Sequence, residues 1–304
     1  MKWKKLGLIF APNNHFSWMV SHAANPFAVQ KQHDVIRVFF TCRNIQNQSH
    51  IAHVDLDGNS NFKVLELAQT PVLNPGAPGF FDDSGVAMGC YLEFQNKVYI
   101  YYLGWNLKVT VPWLNTIGLA EWDNRANRFV KVSNAPIMDR SHEDPFSISY
   151  PSILQENNKL RMWYGSNLSW GKEPETMKHV IKLAESVNGI NWDRLNKIAI
   201  DLKAPYEYAI SKPHVIKDGR TYKMWYSFRG SKETPHYRVG YAESSNGFDW
   251  QRLDDDAGID VSPSGWDSEM ICYPHVFDFK GNRYMLYNGN GYGKTGFGLA
   301  ILES

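Results

Sequence analysis

The chain has 304 residues, with 32 Lys and Arg against 31 Asp and Glu for a formal net charge of +1, and 43% of its residues are hydrophobic. That balance creates no field favouring nucleic acid or a membrane surface, and no apolar run reaches spanning length, so neither partner is expected. Three cysteines, Cys42, Cys90 and Cys272, cannot build a disulfide framework and fit a reducing compartment.

The chain opens on MKWKKLGLIF, basic and then apolar like a secretion signal. Its apolar stretch LGLIFA is shorter than the roughly 7–15 residues such a core needs. It is therefore read as a strand and the protein as cytoplasmic. A unit follows from Asn25 to Leu65 and recurs at Ala87–Val132, Ser149–Asp193, Ser211–Asp249 and Cys272–Ser304. Its anchor prolines Pro151, Pro213 and Pro274 lie 62 and 61 residues apart. A period of this size marks a propeller or solenoid, whose units bury their faces against each other.

Within the fourth unit, PHVIKD and YKMWYSF flank a turn at Asp218-Gly219. RVGYAES follows, and Asn246-Gly247 turns into FDWQRL. Asn188-Gly189 repeats that signal one unit earlier. Such turns join antiparallel strands because Asn, Asp and Gly tolerate positive φ, so each unit is a four-stranded meander. The fifth unit stops after its third strand. MKWKKLGLIF supplies the fourth, with Trp3 in the place of Trp192 and Trp250, and leaves no open edge. The expectation is an all-β, five-bladed β-propeller forming a single domain over 1–304, its ring closed by the N-terminal strand.

In this topology the start of each first strand and the loop after each second strand share one face. The first set brings His22, Asp82, Asp83, Glu143, Asp144, Glu207, Asp267 and Glu269 to the mouth. The second brings Arg43, Trp105, Asn106, Asn167, Trp170, Arg229, Asn288 and Asn290. Trp163, Trp192, Trp225 and Trp250 lie in strands or beside Asn-Gly turns and read as packing. Trp105, Trp170 and Trp266 fall in loops, where an indole can stack on a sugar face. Acids recurring in FDDSG, HEDP, YEYAISKP and DSEMICYP invite glycoside cleavage by two carboxylates. Glu207, flanked by Tyr206 and Tyr208, is the expected general acid, and Asp83 the base or nucleophile. Asp144 and Glu269 are further catalytic candidates, expected to position hydroxyls. His22, Asn25, Arg43, Trp105, Trp170, Arg229, Trp266 and Asn290 are the expected sugar contacts.

Ten histidines show no metal-ligand spacing and no CxxC is present, so neither a metal nor another cofactor is expected. His214 and His275 follow anchor prolines and read as hydrogen-bonded core residues. Cys90 and Cys272 read as buried thiols. GNGYGKTGFG lacks phosphate-loop spacing and reads as a hairpin loop.

With PHV or PSI opening the first strand, KMWY-type second strands and AES.NGxxW hairpins, the whole chain resembles the five-bladed propellers of the glycoside hydrolase superfamily that includes families 32, 43, 68, 117 and 130. FDDSGV, HEDP and GWDSEM further resemble uncharacterised bacterial members found among surface-polysaccharide genes. The resemblance implies a carbohydrate substrate or ligand in an axial funnel. The chain departs from family 43, however, at the catalytic positions. Asn25 replaces the base aspartate, and Ser149-Tyr150, Ser211-Lys212 and Cys272-Tyr273 stand where the other acids would be. Glu143-Asp144-Pro145 matches a family 130 stretch in three letters, too few to carry phosphorylase activity across. Either the acids upstream cleave or transfer a sugar, by hydrolysis or as a glycosyl-transferring or phosphorolytic relative would, or the fold binds carbohydrate without acting on it. A protein-interaction scaffold is the third reading, and it would show a broad apolar or charged rim in place of a pocket.

Overall fold

The computed structural model describes residues 1–173, 176–230 and 235–303. Among them are twenty β-strands, one α-helical turn and a short 3-10 turn. β1 (Trp3–Phe10) is followed by β2 (Ser21–Gln30), β3 (Val35–Arg43), β4 (Ser49–Asp57) and β5 (Lys63–Leu67), which pair as an antiparallel meander. β6 (Gly85–Phe94), β7 (Lys97–Leu107), β8 (Trp113–Asp123) and β9 (Arg128–Lys131) repeat it. So do β10 (Ile148–Glu156), β11 (Lys159–Asn167), β12 (His179–Ser186) and β13 (Asp193–Ile200). The next set is β14 (Ala209–Asp218), β15 (Thr221–Arg229), β16 (Arg238–Ser244) and β17 (Gln251–Arg252). The last sheet runs β1-β20-β19-β18, from β18 (Cys272–Phe279), β19 (Asn282–Asn288) and β20 (Phe297–Leu302). In it the two ends of the chain pair as expected, Trp3 opposite Leu302 and Phe10 opposite Phe297.

Each meander buries its faces on its neighbours. One apolar cluster joins the first meander to the second through Phe39, Ile51, Val86 and Ile100. Others join the second to the third, the third to the fourth and the fourth to the fifth. A further cluster joins the last sheet to the first, with Phe279, Leu286 and Phe297 against Val38, Phe40 and Val54. Asn288, fully buried on β19, clamps that last junction: its Oδ1 accepts from the Asn25 amide at 2.8 Å and its Nδ2 donates to the Ala23 carbonyl at 2.8 Å.

The strand tryptophans are packing residues. Trp192 meets Tyr101, Trp250 meets Trp163 and Trp3 meets Trp225, with centroids 6.0, 6.0 and 6.2 Å apart, all edge-on. This repetition places Trp3 in the role of Trp192 and Trp250. Gly189 and Gly247 need their left-handed backbone, φ 73° and 75°, in the turns before those tryptophans. The GNGYGKTGFG segment joins β19 to β20 through a short turn at Asn290–Gly293 in which Gly291 and Tyr292 are left-handed.

All three cysteines are buried free thiols. His214 and His275 are core histidines whose Nε2 atoms lie 2.7 and 3.3 Å from the Val276 and Ala28 carbonyl oxygens. Among the described residues no helix is long and apolar enough to cross a membrane.

Candidate functional site

The first strand of every meander carries a register shift beside its anchor position: Ala24/Phe27, Met88/Cys90, Ser149/Ser152, Ser211/His214 and Cys272/His275. In four of them the residue before proline is left-handed: Asn25 at φ 54°, Tyr150 at 39°, Lys212 at 51° and Tyr273 at 56°. A left-handed conformation in a non-glycine residue costs about 1–3 kcal/mol and persists only where the surroundings enforce it. Hydrogen bonds from the preceding meander hold two of them, Asn25 and Tyr273, and a similar one holds Met88 beside the second anchor. Ser227 Oγ accepts from the Tyr273 amide at 2.7 Å, as Asn288 does from Asn25, and Thr41 Oγ1 accepts from Met88 at 2.8 Å.

Three of these bulge residues, Asn25, Tyr150 and Tyr273, line a cavity of about 990 Å³. Its wall includes His22, Arg43, Asp83, Trp105, Trp113, Asn115, Asn167, Trp170, His179, Arg229, Tyr237 and Tyr292. The Tyr150 and Tyr273 rings lie 5.7 Å apart. Lys212 is buried, donates to the Gly89 carbonyl at 2.8 Å, and is pushed down to about 8 by burial. His22 and His179 are held neutral by burial, at about 4 and about 3, and the positive charges of Arg43 and Arg229 act in the same sense.

The wall tryptophans have their polar atoms satisfied by protein. Trp105 Nε1 donates to Ser49 Oγ at 2.8 Å and Trp170 Nε1 to the Trp113 carbonyl at 2.9 Å. The Asn25 side chain lies against the Tyr150 phenol, but its Oδ1 is buried with no hydrogen-bond partner among the described residues. A buried acceptor left open costs free energy unless something donates to it.

Of the expected sugar contacts, His22, Asn25, Arg43, Trp105, Trp170 and Arg229 share this cavity, and of the four expected catalytic carboxylates Asp83 does. The other placements correct the expectation of an acid-lined mouth. Asp144 is sealed away from solvent, accepting from Tyr164 Oη at 2.8 Å and Ser166 Oγ at 2.5 Å, and pairing with Lys182 and Arg194 at 3.0 Å each. Burial opposes its charge, but the Ser166 and Lys182 hydrogen bonds hold its pKa below the usual carboxylate value. Glu207 is turned to Arg252, with contacts of 2.9 and 3.1 Å, and does not face Asp83. Glu269 lies off the cavity wall, its amide donating to Asn290 Oδ1 at 2.8 Å. That contact also accounts for Asn290, while Trp266 is stacked on Tyr287 at 5.2 Å.

The recurring acids therefore have a common structural cause. Asp82, Asp144 and Asp267 each accept from a tyrosine twenty residues later, Tyr102, Tyr164 and Tyr287. Each is also ion-paired, Asp82 with Lys131 at 2.5 Å and Asp267 with Lys5 at 2.7 Å. In the fourth meander Tyr226 donates to Asp254, which Arg252 links to Glu207. The first meander has Phe40 at that place, which has no hydroxyl to bind. Repetition here marks a structural clip shared by three meanders and varied in the fourth.

Tyr150, Tyr273, Tyr237, Tyr292, Trp113, Asn115 and His179 are wall residues that sequence reasoning did not select. Their signal was present for two of them, because Tyr150 and Tyr273 precede anchor prolines. Among the described residues no group of three His, Cys, Asp or Glu is placed to hold a metal ion.

No family model matches the chain. Several solved structures share its fold. A glycosyl hydrolase from Bacteroides ovatus superposes with a TM-score of 0.72 at 14% identity, over 99% of this chain and 93% of that one. A structure from the GH130 family of mannoside phosphorylases, containing glycoside hydrolases that target beta-1,2 mannosidic linkages in Candida mannan, gives 0.69 at 14% over 99% and 93%. A point mutant of the Bombyx mori GH32 beta-fructofuranosidase BmSUC1 in complex with sucrose gives 0.65 at 15% over 93% and 61%. At these identities the likeness is one of fold, that of the β-propeller glycoside hydrolases. The uncharacterized protein Rv1502 of Mycobacterium tuberculosis (strain ATCC 25618 / H37Rv) is 45% identical over 304 residues, all of both chains. The uncharacterized protein MT1551 of strain CDC 1551 / Oshkosh matches to the same extent. The chain thus belongs to the family of the uncharacterized mycobacterial protein Rv1502.

Proposed function

We propose that the five meanders are the blades of one closed five-bladed propeller domain, and that it is a carbohydrate-active protein taking a glycan or glycoconjugate into the cavity at the bulges. The cyclic order of the five apolar clusters supports the closed ring. One observation carries the carbohydrate reading: Asn25, buried with an open acceptor, stands on the wall of a cavity that also presents Trp105, Trp113 and Trp170. Indole faces stack on the C–H face of a sugar, and an open buried acceptor takes one of its hydroxyls. A concave cavity of about 990 Å³ also favours a ligand site over an interaction scaffold.

Recognition is the function best supported. Cleavage is a second reading, favoured by Asp83 on the wall. The paired-carboxylate mechanism needs two acids. Asp144 and Glu207 are already committed to buried cations, so Asp83 would act as base or nucleophile with a non-carboxylate proton donor such as Tyr150.

A panel of aryl glycosides and bacterial polysaccharide fragments tests both readings, with retention read by affinity and product by mass spectrometry. At least one fragment is expected to be held, and Trp170→Ala or Asn25→Ala should each weaken it by about tenfold, the scale of one lost buried contact. Any product formed should fall by roughly 10²–10⁴ in Asp83→Asn, the usual effect of losing a proton-transfer group. Failure of every fragment to bind would reject the carbohydrate reading.

A further inference from the structure

We infer that the ligand of this cavity is acidic: a saccharide bearing a carboxylate, or a phosphate or sulfate ester, held by Arg43 and Arg229. The inference rests on the carbohydrate reading above and narrows it to a substrate class.

The first observation is the charge of the wall. Among the described residues it carries two guanidinium groups, from Arg43 and Arg229, against one carboxylate, that of Asp83. That carboxylate is engaged locally, accepting from the Gly79 amide at 2.9 Å and from Ser84 Oγ at 3.1 Å. His22 and His179 are held neutral and offset nothing, and Lys294 adds positive charge near His22.

The second observation is that neither arginine has a carboxylate partner among the described residues. Arg37, Arg161, Arg194 and Arg252 show how this fold otherwise treats its partly buried guanidinium groups: each holds an Asp or Glu. Arg43 makes no side-chain hydrogen bond or ion pair among the described residues, and its charge acts on the Tyr150 phenol. Arg229 is oriented by neutral groups. Its guanidinium lies 4.9 Å from the centroids of Tyr208 and Tyr237, one nitrogen donates to Tyr292 Oη at 2.9 Å, and Nε is buried without a partner.

Desolvating a cation without an anion is costly. A planar guanidinium fixed between aromatic rings with an N–H still open is suited to a carboxylate or an oxyanion ester. The phenols of Tyr150, Tyr237 and Tyr273 add O–H donors to the same cavity and no competing negative charge. A neutral sugar would use Asn25 and the tryptophans but bring no anion to either arginine.

The test is an array of immobilised neutral, uronic-acid-bearing, phosphate-bearing and sulfate-bearing glycans probed with the intact protein. Acidic glycans should be retained at least about tenfold more tightly than neutral ones of the same backbone. That preference should weaken as salt rises. Arg43→Gln and Arg229→Gln should each remove most of the preference while leaving the melting temperature near wild type, and Arg229→Lys should restore only part of it. The uronate arm against the ester arms identifies the source of the anion. Equal or better retention of neutral glycans would overturn the inference and leave the carbohydrate reading standing. An array that retains nothing would overturn both. Retention of acidic glycans unaffected by either Gln variant would place the anion elsewhere and overturn the inference.

Discussion

Replacing Asp144 with Asn is expected to destabilise the protein by about 3–5 kcal/mol, the cost of breaking a buried ion pair and stranding its partner. Two cations are stranded here, Lys182 and Arg194, whose side chains are 7% and 12% exposed. For a chain of this size the melting temperature should fall by about 5–8 °C. Asp83→Asn is the matched control. It removes a carboxylate in the corresponding loop of the previous meander, but one that is only half-buried and has no cation partner among the described residues, so its effect should stay within about 0.5 kcal/mol. Thermal unfolding of the two variants decides the matter. If Asp144→Asn melted with wild type, its role as a structural clip would be rejected and its place among the catalytic candidates reopened.

Deleting residues 1–11 should do greater damage. The deletion removes β1 from the last sheet, and with it Trp3 and Phe10, which are 5% and 6% exposed. It also removes Lys5 from its ion pair with Asp267. Two large apolar side chains account for about 3–6 kcal/mol of burial, and the stranded carboxylate adds to that. Loss of cooperative unfolding, or a melting temperature lower by about 10 °C or more, is expected. Trp3→Ala is the milder companion, measurable even where the truncated protein fails to fold, and should cost about 3–5 kcal/mol. Unchanged melting of both would show that the N-terminal strand does not hold the last sheet.

The fold was readable because its determinants are local and repeated. Asn-Gly turns, anchor prolines and alternating apolar strands recur at a fixed period, and Trp3 could be aligned with Trp192 and Trp250 from neighbouring letters alone. The cavity was readable in part for the same reason. Their places at or just beyond the ends of the second strands put Arg43, Trp105, Trp170 and Arg229 on one wall, although Trp105, expected in a loop, lies within β7.

The partners of the acids were not legible because they are distant in sequence. Lys182 and Arg194 lie 38 and 50 residues beyond Asp144, and Arg252 lies 45 beyond Glu207. Nothing near HEDP or YEYA announces those cations. Trp266 has the same history, since its ring is taken up by Tyr287 from the second strand of its own sheet. Asn25 was kept as a sugar contact, but Tyr150 and Tyr273 were compared with expected carboxylates and set aside as absences. The left-handed backbone of the bulge residues is invisible in the letters, and three of the four residues that adopt it, Asn25, Tyr150 and Tyr273, stand on the cavity wall.

The most direct measurement is a crystal structure of the protein soaked with a glycan that it retains. Sugar density is expected within the cavity, against Trp105, Trp113 and Trp170, with a hydroxyl donating to Asn25 Oδ1. A glycan bound on the outer strands or on the opposite face, with this cavity empty, would contradict the assignment of the site.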